Sequence, residues 1–123
     1  MNPYTLAHGE AKFADLVWEH APLPSMELVK LAQAQMHWKK STTYTVLKKL
    51  CTRGIFKNED AIVSAVFTRE EFYARQSRRY IQDTFDGSLP KFITAFTGGR
   101  GLSDAQAQEL MDLIQRHAEE NDE

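Results

Sequence analysis

Residues 40–67, KSTTYTVLKKLCTRGIFKNEDAIVSAVF, change their hydrophobic period in mid-course. Up to Arg53, the positions Thr43, Val46, Leu47 and Leu50 recur at intervals of three and four, which places them on one face of a helix. Gly54 then supplies the residue best suited to close a helix C-terminus, where the chain turns left-handed. Beyond it, Ile55-Phe56-Lys57 and Ile62–Phe67 are strand formers flanking a turn at Asn58-Glu59-Asp60, which reads as a β-hairpin.

The flanks fit around this helix-plus-hairpin. A first helix is expected over His8–Glu19, with Phe13, Leu16, Val17 and His20 at i, i+3, i+4, i+7 spacing. Ala21-Pro22-Leu23-Pro24 stops it, because proline cannot continue a helix and restrains its predecessor. Ser25 is placed to cap a second helix that carries Met26, Leu28, Val29, Leu31 and Ala32. After the hairpin, Thr68 and Glu71 form a capping box that starts a long helix to about Phe85. Asp86-Gly87 ends it, a short helix covers Ser88–Phe96, and Gly98–Gly101 breaks the chain. Ser103 or Asp104 then caps a last helix to about Glu120. The order predicts a mainly α protein with a small β-hairpin wing: an N-terminal winged helix-turn-helix over residues 1–68 and a C-terminal helical dimerisation arm over 69–123. In that architecture the third helix enters the major groove and the wing lies beside the backbone.

Composition agrees with a packed domain. The chain has 123 residues, 42% hydrophobic and 26% charged, which is enough to bury a core. No apolar run approaches the ~20 residues of a membrane span, and the N-terminus lacks the pattern of a secretory signal. The expectation is a cytoplasmic protein without direct membrane binding. One cysteine, Cys51, excludes an intrachain disulfide and a multi-cysteine metal site.

Charge is unevenly placed. No acidic residue lies between Glu27 and Glu59, a gap that holds Lys30, Lys39, Lys40, Lys48, Lys49, Arg53 and Lys57. Residues 1–68 carry eight basic and six acidic side chains, and residues 69–123 carry seven and eleven. An exposed basic helix is most often just a solvated face; the position of this one in a winged-helix order is what points to DNA. The residues expected to contact double-stranded DNA are Lys39, Lys40, Ser41, Thr42, Tyr44, Thr45, Lys48 and Lys49. Lysines neutralise phosphates, while Thr42 and Thr45, near the helix start, can meet base edges or a thymine methyl. The acidic turn at 58–60 should repel phosphate, which leaves the helix with most of the contact.

The second half reads as an interface. Phe72, Tyr73, Tyr80, Ile81, Phe85, Leu89, Phe92, Ile93 and Phe96, with Leu110, Leu113 and Ile114 on the last helix, are more apolar groups than three helices can bury alone. Patches of that kind meet a partner, and a two-fold dimer matches a palindromic operator. Other chemistry finds no support. His8, His20, His37 and His117 lack ligand spacing, and Gly98-Gly99-Arg100-Gly101 lacks the strand and helix of a nucleotide loop. No enzyme, metal or cofactor is expected.

Three segments carry a family resemblance: GEAKFADLVW, in which Trp18 follows Glu10 by eight residues; STTYTVLKKLCTRG, ending at Gly54; and FDGSLPKFITAF before SDAQAQELMDLIQRH. Their order and spacing over nearly the whole chain resemble the penicillinase-repressor family of BlaI/MecI-type bacterial repressors. The resemblance implies a homodimeric repressor on an inverted-repeat operator, controlling β-lactam-resistance genes, with a membrane sensor protease as a further partner and release by cleavage of the arm. The family's Asn-Phe scissile bond aligns with Ala95-Phe96, so the chain departs from the family there. It also lacks the C-terminal cysteines of the copper-responsive relatives. Two other readings stay open: a winged-helix regulator with a ligand pocket between its modules, and a protein–protein adaptor that binds no DNA.

Overall fold

A computed structural model describes residues 2–121; the outer ends of the two expected units, Met1 and Asp122-Glu123, lie outside the described residues. In chain order the elements are α1 (His8–His20), β1 (Leu23–Pro24), α2 (Ser25–Met36), α3 (Lys40–Thr52), β2 (Phe56–Glu59), β3 (Ile62–Ala65), α4 (Arg69–Phe85), α5 (Leu89–Thr97) and α6 (Asp104–Asn121). Helices α1 to α3 pack around Phe13, Val17, Leu28, Ala32, Leu47 and Leu50, and the hairpin closes this core with Ile55, Phe56 and Val63. Mainly helical, with a small antiparallel sheet, the architecture is the expected winged helix followed by a helical region.

Local chemistry explains the helix ends. His37 adopts φ 58° and ψ 29° at the end of α2, and the Trp38 N–H reaches back to the Ala32 carbonyl at 3.3 Å. This closure turns the chain into α3 while Trp38 stacks on Phe13, centroids 5.3 Å apart. The capping box at α4 forms as expected: Thr68 Oγ1 accepts from the Glu71 N–H, and Glu71 accepts from the Thr68 N–H. The proposed cap at α2 does not. Pro24 holds the N-cap position, and Ser25 lies one residue inside, buried.

The sheet departs from expectation in two ways. Its order is β1-β3-β2, because Leu23-Pro24 pairs antiparallel with Ile62-Val63 instead of serving only as a helix stop. In addition, Glu59 pairs with Ile62, so the turn is Asp60-Ala61 and not Asn58-Glu59-Asp60. Both turn residues have positive φ, 52° and 61°, which is the type I′ geometry that matches the twist of a hairpin. The Ser25 N–H donates to the Ala61 carbonyl at 2.8 Å, which ties the turn to the start of α2.

Phe72 corrects the reading of the arm. It was expected at a dimer surface, yet it has no exposed area and belongs to the winged-helix core. Its ring meets Trp18, Tyr4 and Tyr73 at centroid distances of 5.5, 5.9 and 5.2 Å. The first turn of α4 is therefore part of the N-terminal module, and Tyr73, half-buried against Trp18, shares that packing.

Alanine in the left-handed region costs roughly 1 kcal/mol that glycine does not. Ala61→Gly is expected to raise unfolding stability by about 0.5–1 kcal/mol, read as a higher urea midpoint with an unchanged slope.

Candidate nucleic-acid interface

The outer face of α3 is set by what its inner face buries. Thr43 and Leu50 have no exposed surface and Leu47 only 2%, so the opposite side must point to solvent. Lys39, Lys40, Ser41, Thr42, Thr45 and Lys48 are all exposed. Among the described residues, none of Lys39, Lys40 and Lys48 has an acidic partner within 4.0 Å. The helix also starts without a side-chain cap at Lys39, which leaves first-turn N–H groups beside the lysines for an anion. Thr45 Oγ1 donates to the Ser41 carbonyl at 2.9 Å, and its hydroxyl oxygen remains an acceptor.

Two residues expected in this interface are engaged elsewhere. Lys49 lies on the side of α3 that faces α1 and pairs with Glu10 at 3.1 Å. Tyr44, half-buried, donates its hydroxyl to Ser25 Oγ at 3.2 Å, a bond between α3 and α2. Both hold the helix in place. Lys49 keeps 64% of its side chain exposed beside that pair, whereas the Tyr44 hydroxyl is turned toward α2; local sequence could not supply either partner, since they lie 39 and 19 positions away.

Glu10 is the residue of this region that sequence reading left unassigned. Its Oε1 accepts from the Ala7 N–H at 2.9 Å, and its side chain is only 13% exposed. The Lys49 contact is an ion pair rather than an aligned hydrogen bond, since Oε2 is buried without a hydrogen-bond partner. The Ala7 N–H is the main cause holding the Glu10 carboxyl below its ordinary 4.5; burial opposes it, and Lys49 and Arg53 add to the lowering. The only sequence signal was its place in the first turn of α1, where a carboxylate suits the free N–H groups.

The wing offers little to a polyanion. Glu59 and Asp60 are exposed at its tip, and Lys57 faces Glu59 at 3.9 Å. Cys51 is half-buried, and burial pushes its thiol up, so it stays protonated and packs as a small apolar group. A groove of about 620 Å3 separates α1 from the start of α4. Within its lining Arg69 donates to Asp15 at 2.9 Å, and the remaining charged residues, Glu19 and Glu70, are acidic.

The apolar residues of the arm lie mostly open. No residue of α5 is buried. Exposure reaches 47% at Tyr80, 55% at Leu89, 66% at Phe96, 42% at Leu113 and 60% at Ile114. Ile81, Phe85, Phe92, Ile93 and Leu110 are half-buried, with Phe92 edge-on to Phe85 at 5.6 Å. Ala95 and Phe96, the pair aligned with the family's scissile bond, are exposed near the end of α5. No helix among the described residues is long and apolar enough to cross a membrane.

Three packed helices, a paired wing and an outward third helix define a winged helix-turn-helix protein. The sequence model of the family described as penicillinase repressor matches residues 6–116, nearly the whole chain. The penicillinase repressor of Bacillus licheniformis is 19% identical over 116 residues, which cover 91% of each chain. The chain belongs to the penicillinase repressor family, whose members are transcriptional regulators and not enzymes.

A group whose folded pKa is depressed stabilises the fold above its unfolded pKa and loses that contribution as pH falls through the folded value. Glu10→Gln should therefore lower stability at neutral pH by about 1 kcal/mol, the charge-assisted part of its contacts. The gap to the parent should close as pH drops from 4.5 through the depressed value, as followed by urea unfolding at several pH values.

Proposed function

We propose that the protein is a homodimeric repressor that reads an inverted-repeat operator with α3. The observation that carries this reading is the uncapped, unpaired face of Lys39, Lys40, Ser41, Thr42, Thr45 and Lys48 on a helix whose other side is fully buried. Three lysines on one short segment suit neighbouring phosphates, while the threonines between them suit base edges. The wing, acidic at its tip, contributes little. Sequence reading comes from the helix.

Dimerisation falls to α5 and α6. Apolar groups of both helices line a cavity of about 210 Å3 between Phe92, Ile93, Phe96, Thr97, Leu102 and Leu110. A second copy placed by a two-fold axis would cover it and pair two α3 helices with two half-sites. By the name of its relative, a penicillinase gene is the class of target this reading carries. Release then follows from any event that separates the two copies, because linked half-sites bind far more tightly than separate ones. A cut at Ala95-Phe96 would be such an event, since it severs α6 from the chain.

Two experiments test the reading. In fluorescence-anisotropy titrations with duplex DNA, Lys40→Ala should weaken binding to all sequences and reduce the salt slope by about 0.9. Thr42→Ala should leave the slope alone and relax base preference by about 1 kcal/mol. Lys40→Ala with unchanged affinity and slope would remove α3 from the interface. In analytical ultracentrifugation, Ile114→Asp should convert a dimer into monomers and lower affinity for an inverted repeat by about 100-fold while sparing a single half-site. A wild-type monomer would contradict the assembly.

A further inference from the structure

Residues 2–5 lie between the end of α3 and the middle of α4 and bond to both. Arg53, which caps α3, donates through Nη2 to the carbonyls of Pro3 and of Thr5, the latter at 2.7 Å. Gln76 Nε2 donates to the Tyr4 carbonyl at 2.9 Å, and Asn2 Nδ2 donates to the Gln76 carbonyl at 3.0 Å. The Tyr4 ring meets Phe72 edge-on at 5.9 Å. Phe72 and Gln76 are four residues apart and so share one face of α4.

This arrangement has a mechanical consequence. Helix α4 spans 17 residues, about 25 Å at 1.5 Å per residue. Phe72 and Tyr73, with Arg69 on Asp15 and Arg75 over the Phe67 ring, hold its first turns against the module. Gln76 is the last residue along this stretch to be tied down, and from Ser77 to Tyr80 every residue is exposed. A small change of angle at the anchor is magnified at the far end of α4, where α5 begins. Along B-form DNA one base pair is about 3.4 Å of rise and about 35° of rotation, so a dimer that prefers one half-site separation needs α3 and α4 held at a fixed angle.

We propose that residues 2–5, bonded to Arg53 and Gln76, are a strap that fixes the angle between α3 and α4 and thereby sets the half-site spacing the dimer accepts. Arg53 and Gln76 are positioning residues and touch no base or phosphate. The inference rests on the dimeric DNA-binding reading above.

The test uses the full chain and a half-site selected from random duplexes, presented singly and as inverted repeats with spacers lengthened or shortened by one and two base pairs. Wild type should prefer one spacer by about tenfold or more over its neighbours. Gln76→Ala should flatten that preference to within about threefold while binding a single half-site as wild type does. Gln76→Glu, the same shape without the amide donor, should behave likewise. A spacer profile identical to wild type in both variants would overturn the strap. So would an equal loss on single and paired half-sites, which would mark Gln76 as a stability residue only. Wild type that binds no duplex, or binds paired and single half-sites equally, would overturn the dimeric reading itself, and no variant is needed to see it.

Discussion

The ring of Phe72 is carried by α4 yet lies with no exposed surface in the core formed by α1, α2, α3 and the hairpin. Around it are Trp18, Tyr4 and Tyr73, and Trp18 itself is fixed by its indole N–H, which donates to the Phe67 carbonyl at 2.9 Å. Burying a phenylalanine side chain contributes about 1.5–3 kcal/mol, but its position matters more here than its size. It lies four residues beyond Thr68, so the arm leaves the module as a continuous helix with its first turn already committed. Where the arm leaves the module follows from that ring.

A second constraint acts on α3. Thr43, Leu47 and Leu50 face inward, and each side of the helix is pinned by a polar contact, Lys49 to Glu10 on α1 and Tyr44 to Ser25 on α2. Surface ion pairs are worth little in general, but the Glu10 carboxylate is largely enclosed, so its pair with Lys49 orients more than it stabilises. What remains outside is a short segment rich in lysine and hydroxyl groups, and among the described residues no acid pairs with Lys39, Lys40 or Lys48. The chain is mildly acidic overall, with a formal net charge of −2. In the proposed reading, attraction to a polyanion is therefore a local property of this face and not of the molecule.

Much of this could be read from the sequence because its signals are local. The helix of residues 40–52, the hairpin after Gly54 and the capping box at Thr68 each declare themselves within a few positions. The features that escaped depend on distant partners or on unfavourable residues. Nothing in Ala61 suggests a left-handed turn, since alanine disfavours it; the bond from Ser25 to its carbonyl is made 36 positions away. Leu23-Pro24 is too short and too proline-rich to read as a strand. Phe72 sits among arm aromatics and gives no local hint that it turns inward. At the candidate interface, the exposure of seven of the eight residues was legible from helical periodicity, whereas the bond of Tyr44 to Ser25 and the pairing of Lys49 with Glu10 were not.

The central claim is that the outer face of α3, and not the wing, meets DNA. Lysine-acetylation footprinting of the full chain, with and without bound duplex, tests it residue by residue. Lys39, Lys40 and Lys48 should be protected on binding, with Lys57 on the wing unchanged. Protection of Lys57 with Lys39, Lys40 and Lys48 still reactive would contradict it.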